Sequence, residues 1–160
     1  MRIKFAKVKE GAHVPSKRDE DAAFDIYACF NENYIRIDPF TSKLIPTGIA
    51  SVFSSDYAVV FRERGSTGTK NIKVNAGVID SGFRGEYFVS LYNANDVPLY
   101  ICKDTNYKFE DNAIYYPYSK AIAQALVIHV PHTVIEEISY EDLLNIKSER
   151  GIGQLGSSNK

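Results

Sequence analysis

Short apolar runs, each closed by turn residues, recur along most of the sequence and restrict the chain to a fold built from strands. Tyr34–Ile37 alternates with period two before the turn signal Asp38-Pro39. Residues 57–61 form a run rich in aromatic and β-branched side chains, and comparable runs occupy residues 3–5, 44–45, 49–53, 86–92 and 98–102. The eleven Tyr and nine Phe favour strands further. The pattern predicts an all-β protein.

Two segments near the C-terminus are distinct. Residues 121–130 form a long apolar run, and the flanking prolines Pro117 and Pro131 favour a buried strand over a helix. Residues 139–147 are the one good helix candidate. They open with Ser139 and acidic residues and close with Lys147, as helix capping and the helix dipole prefer.

Composition places the chain among ordinary globular proteins and excludes some partners. Its 160 residues, 44% hydrophobic and 24% charged, predict one domain with a real core. The net charge of −1, without a basic block, argues against a nucleic-acid partner, because phosphate-tracking surfaces need clustered Lys and Arg. A small anionic ligand remains compatible, since one or two well-placed arginines are enough to bind it.

Cysteine usage and the N-terminus predict a cytoplasmic protein. Cys29 and Cys102 have no zinc-type spacing and are expected to be reduced thiols. The N-terminus is charged at every second or third residue, which is unlike a signal peptide, and no run approaches the ~18 apolar residues of a membrane span. His129 and His132 flank Pro131, and we expect them to be structural rather than metal ligands.

The run Asn-Ala-Gly-Val-Ile-Asp-Ser-Gly-Phe-Arg-Gly-Glu at residues 75–86 is the most informative local pattern. An apolar stretch that predicts a buried strand leads directly into Asp80, whose carboxylate is therefore expected to be half desolvated or paired. Gly77, Gly82 and Gly85 lack a Cβ where a ligand or a second strand could approach. Two interpretations remain open: a β-hairpin in which Asp80 caps a turn, or an acid positioned beside bare backbone to act on a small polar ligand.

This run resembles the third motif of the trimeric deoxyuridine triphosphatase (dUTPase) family. Four other stretches resemble that family's remaining motifs in the right order, from residue 23 to residue 158. Ala-Phe-Asp-Ile-Tyr-Ala (23–28) is similar to the first, Arg-Gly-Ser-Thr-Gly (64–68) to the second, Ala-Ile-Ala-Gln-Ala (121–125) to the fourth, and Arg-Gly-Ile-Gly-Gln-Leu-Gly-Ser-Ser (150–158) to the fifth.

The resemblance implies a β jelly-roll-like barrel that assembles as a homotrimer with shared active sites. Residues 1–149 would form the barrel domain and residues 150–160 a flexible tail that closes over phosphates. Residues 93–118 look like an extended hairpin or loop insertion relative to shorter members of the family. This insertion is a possible contact for a protein partner.

The implied reaction is hydrolysis of dUTP to dUMP and pyrophosphate. Asp80 would be the general base that activates a water for attack on the α-phosphorus. Mg²⁺ would be the cofactor, and Asp25 would hold it through its water shell. The structural alternative for Asp25 is a hydrogen bond at a strand edge.

The resemblance also implies a set of substrate contacts. The backbone of residues 75–79 would read the uracil edge, and Phe83 would pack under the deoxyribose. Leu155 stands where the family usually has Phe and would cover the base. The full set of implied substrate-binding residues is Arg64, Gly65, Ser66, Asn75, Gly77, Val78, Ile79, Phe83, Gln124, Arg150, Leu155, Gly156 and Ser157.

Each pattern also has a competing interpretation. Arg64–Gly68 (residues 64–68) has the composition of an ordinary turn, and Gln124 could pair with backbone inside an apolar run. Residues 151–156 spell G-x-G-x-x-G, but too few residues follow for a dinucleotide-binding helix. The remaining interpretations of this segment are a mobile tail and a flap that wraps around phosphates. The functional alternatives are a dCTP deaminase-like enzyme, a dUTP-binding regulatory protein and an inert jelly-roll structural protein.

Overall fold

The computed structural model describes residues 1–106 and 108–153. Within them the chain forms twelve strands and two short helices. The strands are β1 Lys4–Lys7, β2 Ala23–Ile26, β3 Tyr34–Ile37, β4 Ser42–Pro46, β5 Ile49–Val52, β6 Tyr57–Arg62, β7 Ile72–Asn75, β8 Val78–Ile79, β9 Phe88–Asn93, β10 Leu99–Cys102, β11 Ile114–Pro117 and β12 Ala123–His129. The helices are α1 Gly65–Gly68 and α2 Tyr140–Asn145.

The strands form four small sheets whose order departs strongly from chain order. The sheets are β1-β5, β11-β10-β3, β2-β12-β6-β8 and β4-β9-β7. Pairing is antiparallel except between β10 and β11. Strands account for 36% of the structure and helices for 7%, which confirms the predicted all-β class.

Alternation along the strands builds one core. In β9, Val89, Leu91 and Asn93 are buried and alternate with the more exposed Phe88, Ser90 and Tyr92. Tyr87 is fully buried at the centre, where its ring meets Phe61 edge-on at 5.8 Å and Phe5 at 6.5 Å. Its hydroxyl pairs with that of Ser51, and burial raises the pKa of the Tyr87 phenol. A rigid core of this kind fixes the outward-facing side chains of each strand.

The region 93–118 does not fold as a hairpin. β10 and β11 run parallel, with Leu99 opposite Ile114, whereas a hairpin requires antiparallel strands. The connecting residues pack back on the sheet, where the ring of Phe109 lies 4.1 Å from that of Tyr34 and 5.0 Å from that of Tyr100. Of the two expectations, an extended hairpin or a loop insertion, the parallel strands contradict the hairpin.

The chain leaves the core after β12. Residues 130–153, which we call the C-terminal arm, are all exposed. The predicted helix is present but shorter than predicted, since α2 ends at Asn145. The Ser139 hydroxyl caps it by accepting the Asp142 N–H at 3.0 Å, and none of its residues is buried.

Cys29 and Cys102 are buried free thiols, as predicted. His129 packs edge-on against Tyr57 at 5.7 Å, and no cluster of three or more metal-ligating side chains occurs in 1–106 and 108–153. No helix in that part of the chain is long and apolar enough to cross a bilayer.

Candidate functional site

A cavity of about 600 Å³ opens on the outer face of the β2-β12-β6 sheet. We call it the arginine cavity, because two arginine–aspartate pairs line it. Its lining comprises Ser16, Arg18, Asp21, Ala22, Ala23, Asp25, Arg64, Gly65, Ser66, Gln124 and Leu126. Residues from three of the predicted motifs therefore meet in one place.

Strand register explains this convergence. Gln124 on β12 lies opposite Asp25 on β2 and opposite Arg62 on β6. The neighbours of Asp25, Phe24 and Ile26, are buried in the core, so strand alternation directs Asp25 outward. β6 ends at Arg62, and the chain turns into α1 with Arg64 at its N-cap.

Arg64 and Asp25 form a two-point ion pair. Nε of Arg64 donates to Oδ1 of Asp25 at 2.8 Å, and Nη2 donates to Oδ2 at 3.1 Å. The two side chains are 30% and 35% exposed, and Nη1 of Arg64 donates to the Ser66 hydroxyl at 3.3 Å. The residue predicted to bind phosphate and the residue predicted to hold magnesium thus orient one another.

Buried hydrogen bonds fix the backbone around Arg64. The hydroxyl of the buried Thr67 accepts the Arg64 N–H at 3.0 Å and donates to the Arg64 carbonyl at 3.1 Å. The Gln124 amide donates to the Glu63 carbonyl at 2.7 Å, which is the backbone pairing that the sequence left open. The Glu63 carboxylate accepts the Val74 N–H at 2.9 Å, and this bond lowers the pKa of Glu63.

Neither Thr67 nor Glu63 is among the residues predicted from the sequence. The spacing of Thr67, three residues after Arg64, is that of a capping box and was a usable signal. Glu63 has no such signal. It lies between two arginines in sequence, and its role depends on β7, which is brought to it only by folding.

A second ion pair lines the arginine cavity outside all five motifs. Nε and Nη2 of Arg18 donate to the two carboxylate oxygens of Asp21 at 3.0 and 2.9 Å. These hydrogen bonds lower the pKa of Asp21 and raise that of Arg18. The loop is attached to β2, because the Asp25 N–H donates to the Ser16 carbonyl at 3.4 Å.

The predicted hairpin at residues 75–79 is instead a corner between two sheets. β7 pairs with β9, whereas β8 pairs with β6. The linking residues Ala76 and Gly77 both have positive φ, at 61° and 113°. A Cβ on Gly77 would lie 3.0 Å from that of Phe61, whose N–H donates to the Gly77 carbonyl at 2.8 Å. The close approach expected at Gly77 is therefore made by a second strand, β6.

Asp80 follows this corner and is exposed. The prediction of a buried strand ending in a half-desolvated or paired acid is wrong, because β8 is a two-residue edge strand and Val78 is 65% exposed. Among the residues that the structure describes, the Asp80 carboxylate has no hydrogen bond or ion pair. Asn75, before the corner, donates from its amide to the Ser42 hydroxyl at 2.9 Å.

Phe83 lies next to Asp80 on the surface, with its ring 44% exposed. The ring stacks on Tyr87 at 6.3 Å with an interplanar angle of 17°. It also covers Gly85, where a Cβ would lie 2.6 Å from Cζ of Phe83. The absence of a side chain at Gly85 therefore lets the Phe83 ring lie over this glycine while it stacks on Tyr87.

The acid and the arginine cavity are far apart on one chain. Ile79 pairs with Val59, and Arg64 lies at the opposite end of β6. Continuing the register places Asp80 level with Ala58, four residues along β6 from Arg62, which is level with Asp25. Because β8 and β2 are also three strands apart, about 13 Å along the strands and about 14 Å across them separate Asp80 from Asp25, the partner of Arg64, or roughly 20 Å in all. The predicted site residues therefore form two groups, with Asp25, Arg64, Gly65, Ser66 and Gln124 in one and the residues from Asn75 to Phe83 in the other.

The predicted tail residues are placed only in part. Arg150 belongs to the C-terminal arm, where its N–H donates to the Ser148 hydroxyl at 3.3 Å. Leu155, Gly156 and Ser157 lie outside the described residues.

Comparison with known proteins gives one consistent family. The dUTPase family profile matches residues 9–106. A deoxyuridine 5'-triphosphate nucleotidohydrolase from Nautilia profundicola is 32% identical over the full length of both chains. The Leptospira interrogans protein of the same name is 32% identical over 100 residues, which are 60% of this chain and 68% of that protein.

Solved structures share the fold at low sequence identity. The dUTPase of staphylococcal phage 80alpha, in a mutant form with dUpNHpp, superposes with a TM-score of 0.76 at 19% identity and covers 98% of both chains. Native EIAV dUTPase superposes with a TM-score of 0.63 at 19% identity and covers 87% of this chain and 98% of its own.

Proposed function

Because the chain belongs to the dUTPase family, we propose that it hydrolyses dUTP to dUMP and pyrophosphate. The observation that carries this proposal is the arginine cavity. Four polar residues from three separate motifs, Asp25, Arg64, Ser66 and Gln124, line it together. A cavity with fixed guanidinium, hydroxyl and amide groups fits a phosphate chain.

The phosphate contacts follow from how Arg64 is held. Asp25 uses Nε and Nη2 of the guanidinium, so Nη1 and its neighbour Ser66 are directed to a ligand in the cavity. The first residues of a helix also leave backbone N–H groups without helical partners, and here those belong to Gly65 and Ser66. In the motif that residues 64–68 resemble, Ser usually follows the Arg directly, whereas this chain has Gly65 there. The backbone N–H groups and the Ser66 hydroxyl would replace that contact.

The residues in the arginine cavity fit magnesium only through water. Each oxygen of Asp25 accepts one bond from Arg64, which leaves further lone pairs that can accept from a coordinated water. Mg²⁺ keeps several waters and takes its other ligands from substrate phosphates. The bound ion would neutralise charge on the triphosphate, and Asp25 would orient its water shell.

Asp80 is the proposed general base. Its exposed carboxylate takes a proton from a water molecule, and the water oxygen bonds to the α-phosphorus. The bond from the α-phosphorus to the α,β-bridging oxygen breaks in line, and pyrophosphate leaves. The products are dUMP and pyrophosphate, with the proton on Asp80 passing to solvent.

The corner before Asp80 is proposed to select uracil. β8 is an edge strand, so one side of its backbone offers free N–H and C=O groups that a pyrimidine edge can pair with. The tight turn at Ala76 and Gly77 leaves little room for a methyl group at C5, which disfavours thymine. The exocyclic amine of cytosine reverses one donor–acceptor position and would leave a group unpaired. The exposed face of Phe83 would carry the deoxyribose.

A complete site on this proposal requires more than one copy of the chain. One α-phosphate cannot touch Asp80 and Arg64 across roughly 20 Å, so the two groups come from different copies in a homotrimer. The C-terminal arm supports this assembly, because its apolar side chains are widely exposed and exposed apolar surface marks interaction sites. They include Val134, Ile135, Ile138, Tyr140, Leu143, Leu144, Ile146 and Ile152. The arm would carry Arg150 to the site of a neighbouring copy.

The test is to incubate the purified chain and Mg²⁺ separately with dUTP, dCTP, dTTP and UTP. We expect dUMP and pyrophosphate from dUTP, with much slower turnover of the other nucleotides. Release of ammonia from dCTP would indicate the deaminase alternative instead. Binding of dUTP without turnover would indicate the regulatory alternative, and no binding would indicate an inert structural protein.

A further inference from the structure

The loop formed by residues 16–21 lines the arginine cavity but belongs to none of the five motifs. It holds two cations, Lys17 and Arg18, and Arg18 is the one that lines the site proposed to bind a triphosphate. The hydrogen bonds that each cation makes show whether it stabilises the loop or is available to a ligand.

Lys17 is committed to the loop itself. Its ammonium donates to the carbonyls of Arg18 at 3.2 Å, Asp19 at 3.5 Å and Asp21 at 2.8 Å. These bonds close the loop on itself, and the Asp25 N–H anchors it at the carbonyl of Ser16. The loop is therefore a defined structure beside the Arg64 pair, with its lysine already satisfied.

Arg18 is held differently, by a contact that a ligand can replace. Its guanidinium is 87% exposed, and within residues 1–106 and 108–153 it is paired only with Asp21. An ion pair at the surface adds little stability, and Arg18 is mostly exposed, so exchanging its carboxylate partner for another anion costs little. A phosphate offers the same two-point geometry to a guanidinium with more charge.

We propose that Arg18 is a second phosphate-binding arginine, which leaves Asp21 to hold the β- or γ-phosphate of the substrate. The inference rests on the proposed dUTP hydrolysis. Arg64, Ser66 and Gln124 serve the phosphate at which the reaction occurs, and Arg18, on the exposed loop, takes a phosphate that dUMP lacks. Asp21 keeps Arg18 beside the cavity while the site is empty and competes with the phosphate for it.

The test compares the binding of two ligands to the full chain by calorimetry. The ligands are dUMP and a non-hydrolysable imido analogue of dUTP, both with Mg²⁺. We expect Arg18→Gln to weaken the imido analogue about tenfold, as for loss of a charged hydrogen bond, and to leave dUMP binding unchanged. Arg18→Lys keeps the charge and loses the two-point geometry, so its loss should be intermediate. Arg2→Gln, which removes the same charge from an exposed position outside the cavity, is the matched control.

Asp21→Asn separates competition from a structural role. The asparagine retains an acceptor for the Arg18 N–H, which Asp21 now accepts at 3.1 Å, but it releases the guanidinium. We expect the imido analogue to bind more tightly than to wild type. A loop that only supports the fold would instead weaken both ligands in both variants.

Equal loss of affinity for dUMP and the imido analogue in Arg18→Gln would overturn the inference, as would unchanged binding of both. Weaker analogue binding by Asp21→Asn would remove the competing role of Asp21. If Arg18→Gln does not fold, Arg18→Lys provides the same comparison. Because these measurements need no turnover, they are independent of whether wild type hydrolyses dUTP.

Discussion

The arginine cavity and the Asp80 corner are built in opposite ways. In the cavity, two bonds to Asp25 fix the Arg64 guanidinium, and Thr67 fixes the backbone that carries it. At the corner, Asp80 is exposed and its carboxylate has no partner among residues 1–106 and 108–153. One region is ordered in advance of any ligand, and the other leaves its reactive group open.

This difference matches the proposed roles of the two regions, which are stabilisation of phosphate charge in the arginine cavity and general-base catalysis at Asp80. A cation that stabilises phosphate charge is most effective when it is already oriented, because no reorganisation is then needed during the reaction. A general base needs a free lone pair that a water can reach. The neighbouring strands β2, β12 and β6 provide the first, and the two-residue strand β8 at the far edge of the same sheet provides the second.

The largest effect on kcat is expected for variants that remove either Asp80 or Arg64, because each variant chain then keeps only one of the two regions functional. Asp80→Asn and Arg64→Gln should each lower kcat by about 10²–10⁴-fold, the usual contribution of a general base and of charge stabilisation. If each site combines an Asp80 from one copy with an Arg64 from another, co-expressed variants should regain part of the activity. The measurement is kcat of mixed oligomers purified through two different affinity tags.

The controls for this experiment are the two single variants and an equal mixture of them without subunit exchange. The melting temperature of Arg64→Gln shows whether loss of the pair with Asp25 unfolds the cavity. Mixed oligomers that stay as inactive as the single variants would show that the sharing of sites between copies is wrong.

The backbone that positions Arg64 in the arginine cavity can be perturbed by a substitution at Thr67. Thr67→Val removes the hydroxyl that makes two bonds to the Arg64 backbone, so we expect a loss of about 1 kcal/mol in unfolding free energy, as for other lost helix caps. We also expect a fall in kcat/KM larger than this stability loss explains. Thr67→Ser keeps the hydroxyl and is the control. Equal kcat/KM for Thr67→Val and wild type would mean that the bonds do not orient Arg64.

The sequence predicts those secondary-structure elements that depend on neighbouring residues, such as a strand with alternating side chains or a helix with a capping residue. The strand at Tyr34–Ile37 is found where alternation places it, and the helix that Ser139 caps is present. Motif resemblance also predicts that Asp25, Arg64 and Gln124 serve one site, and register brings them to one cavity.

What the sequence does not predict depends on contacts between distant segments. The exposure of Asp80 follows from β8 being an edge strand, which is a property of sheet order and not of an apolar run. The parallel pairing of β10 with β11 is one such feature, and Phe109 in their connection packs on Tyr34 of β3, a strand far away in sequence. Arg18 is not predicted as a site residue for a related reason, since only folding brings its charged loop to the cavity.

Phe83 offers a smaller perturbation on the Asp80 side. Gly85→Ala would place a Cβ against the tip of the Phe83 ring, which is the movable end of a side chain, so folding should change by less than about 0.5 kcal/mol. The ring would shift away from its present position, and we expect KM for dUTP to rise severalfold with little change in kcat. Gly82→Ala, where a Cβ meets nothing within 4 Å, is the control. An unchanged KM for Gly85→Ala would mean that Phe83 does not carry the sugar.

The smallest expected effect is the pH dependence that Glu63 gives to the arginine cavity. The hydrogen bond from the Val74 N–H lowers the pKa of Glu63 in the folded state, below its unfolded value of about 4.3. Its charged form therefore adds stability above about pH 4.3, and this stability is lost as the pH falls through the folded-state pKa.

Glu63→Gln retains an acceptor oxygen but loses the charge. At pH 7 we expect wild type to be more stable than Glu63→Gln by less than about 1 kcal/mol, because the carboxylate is only partly buried. The difference should shrink towards pH 3, in urea unfolding measured at each pH. Glu32→Gln, which makes the same change at an exposed position, is the matched control. A Glu63→Gln difference that is constant between pH 7 and pH 3 would show that the charge of Glu63 does not fasten β7 to the segment that carries Arg64.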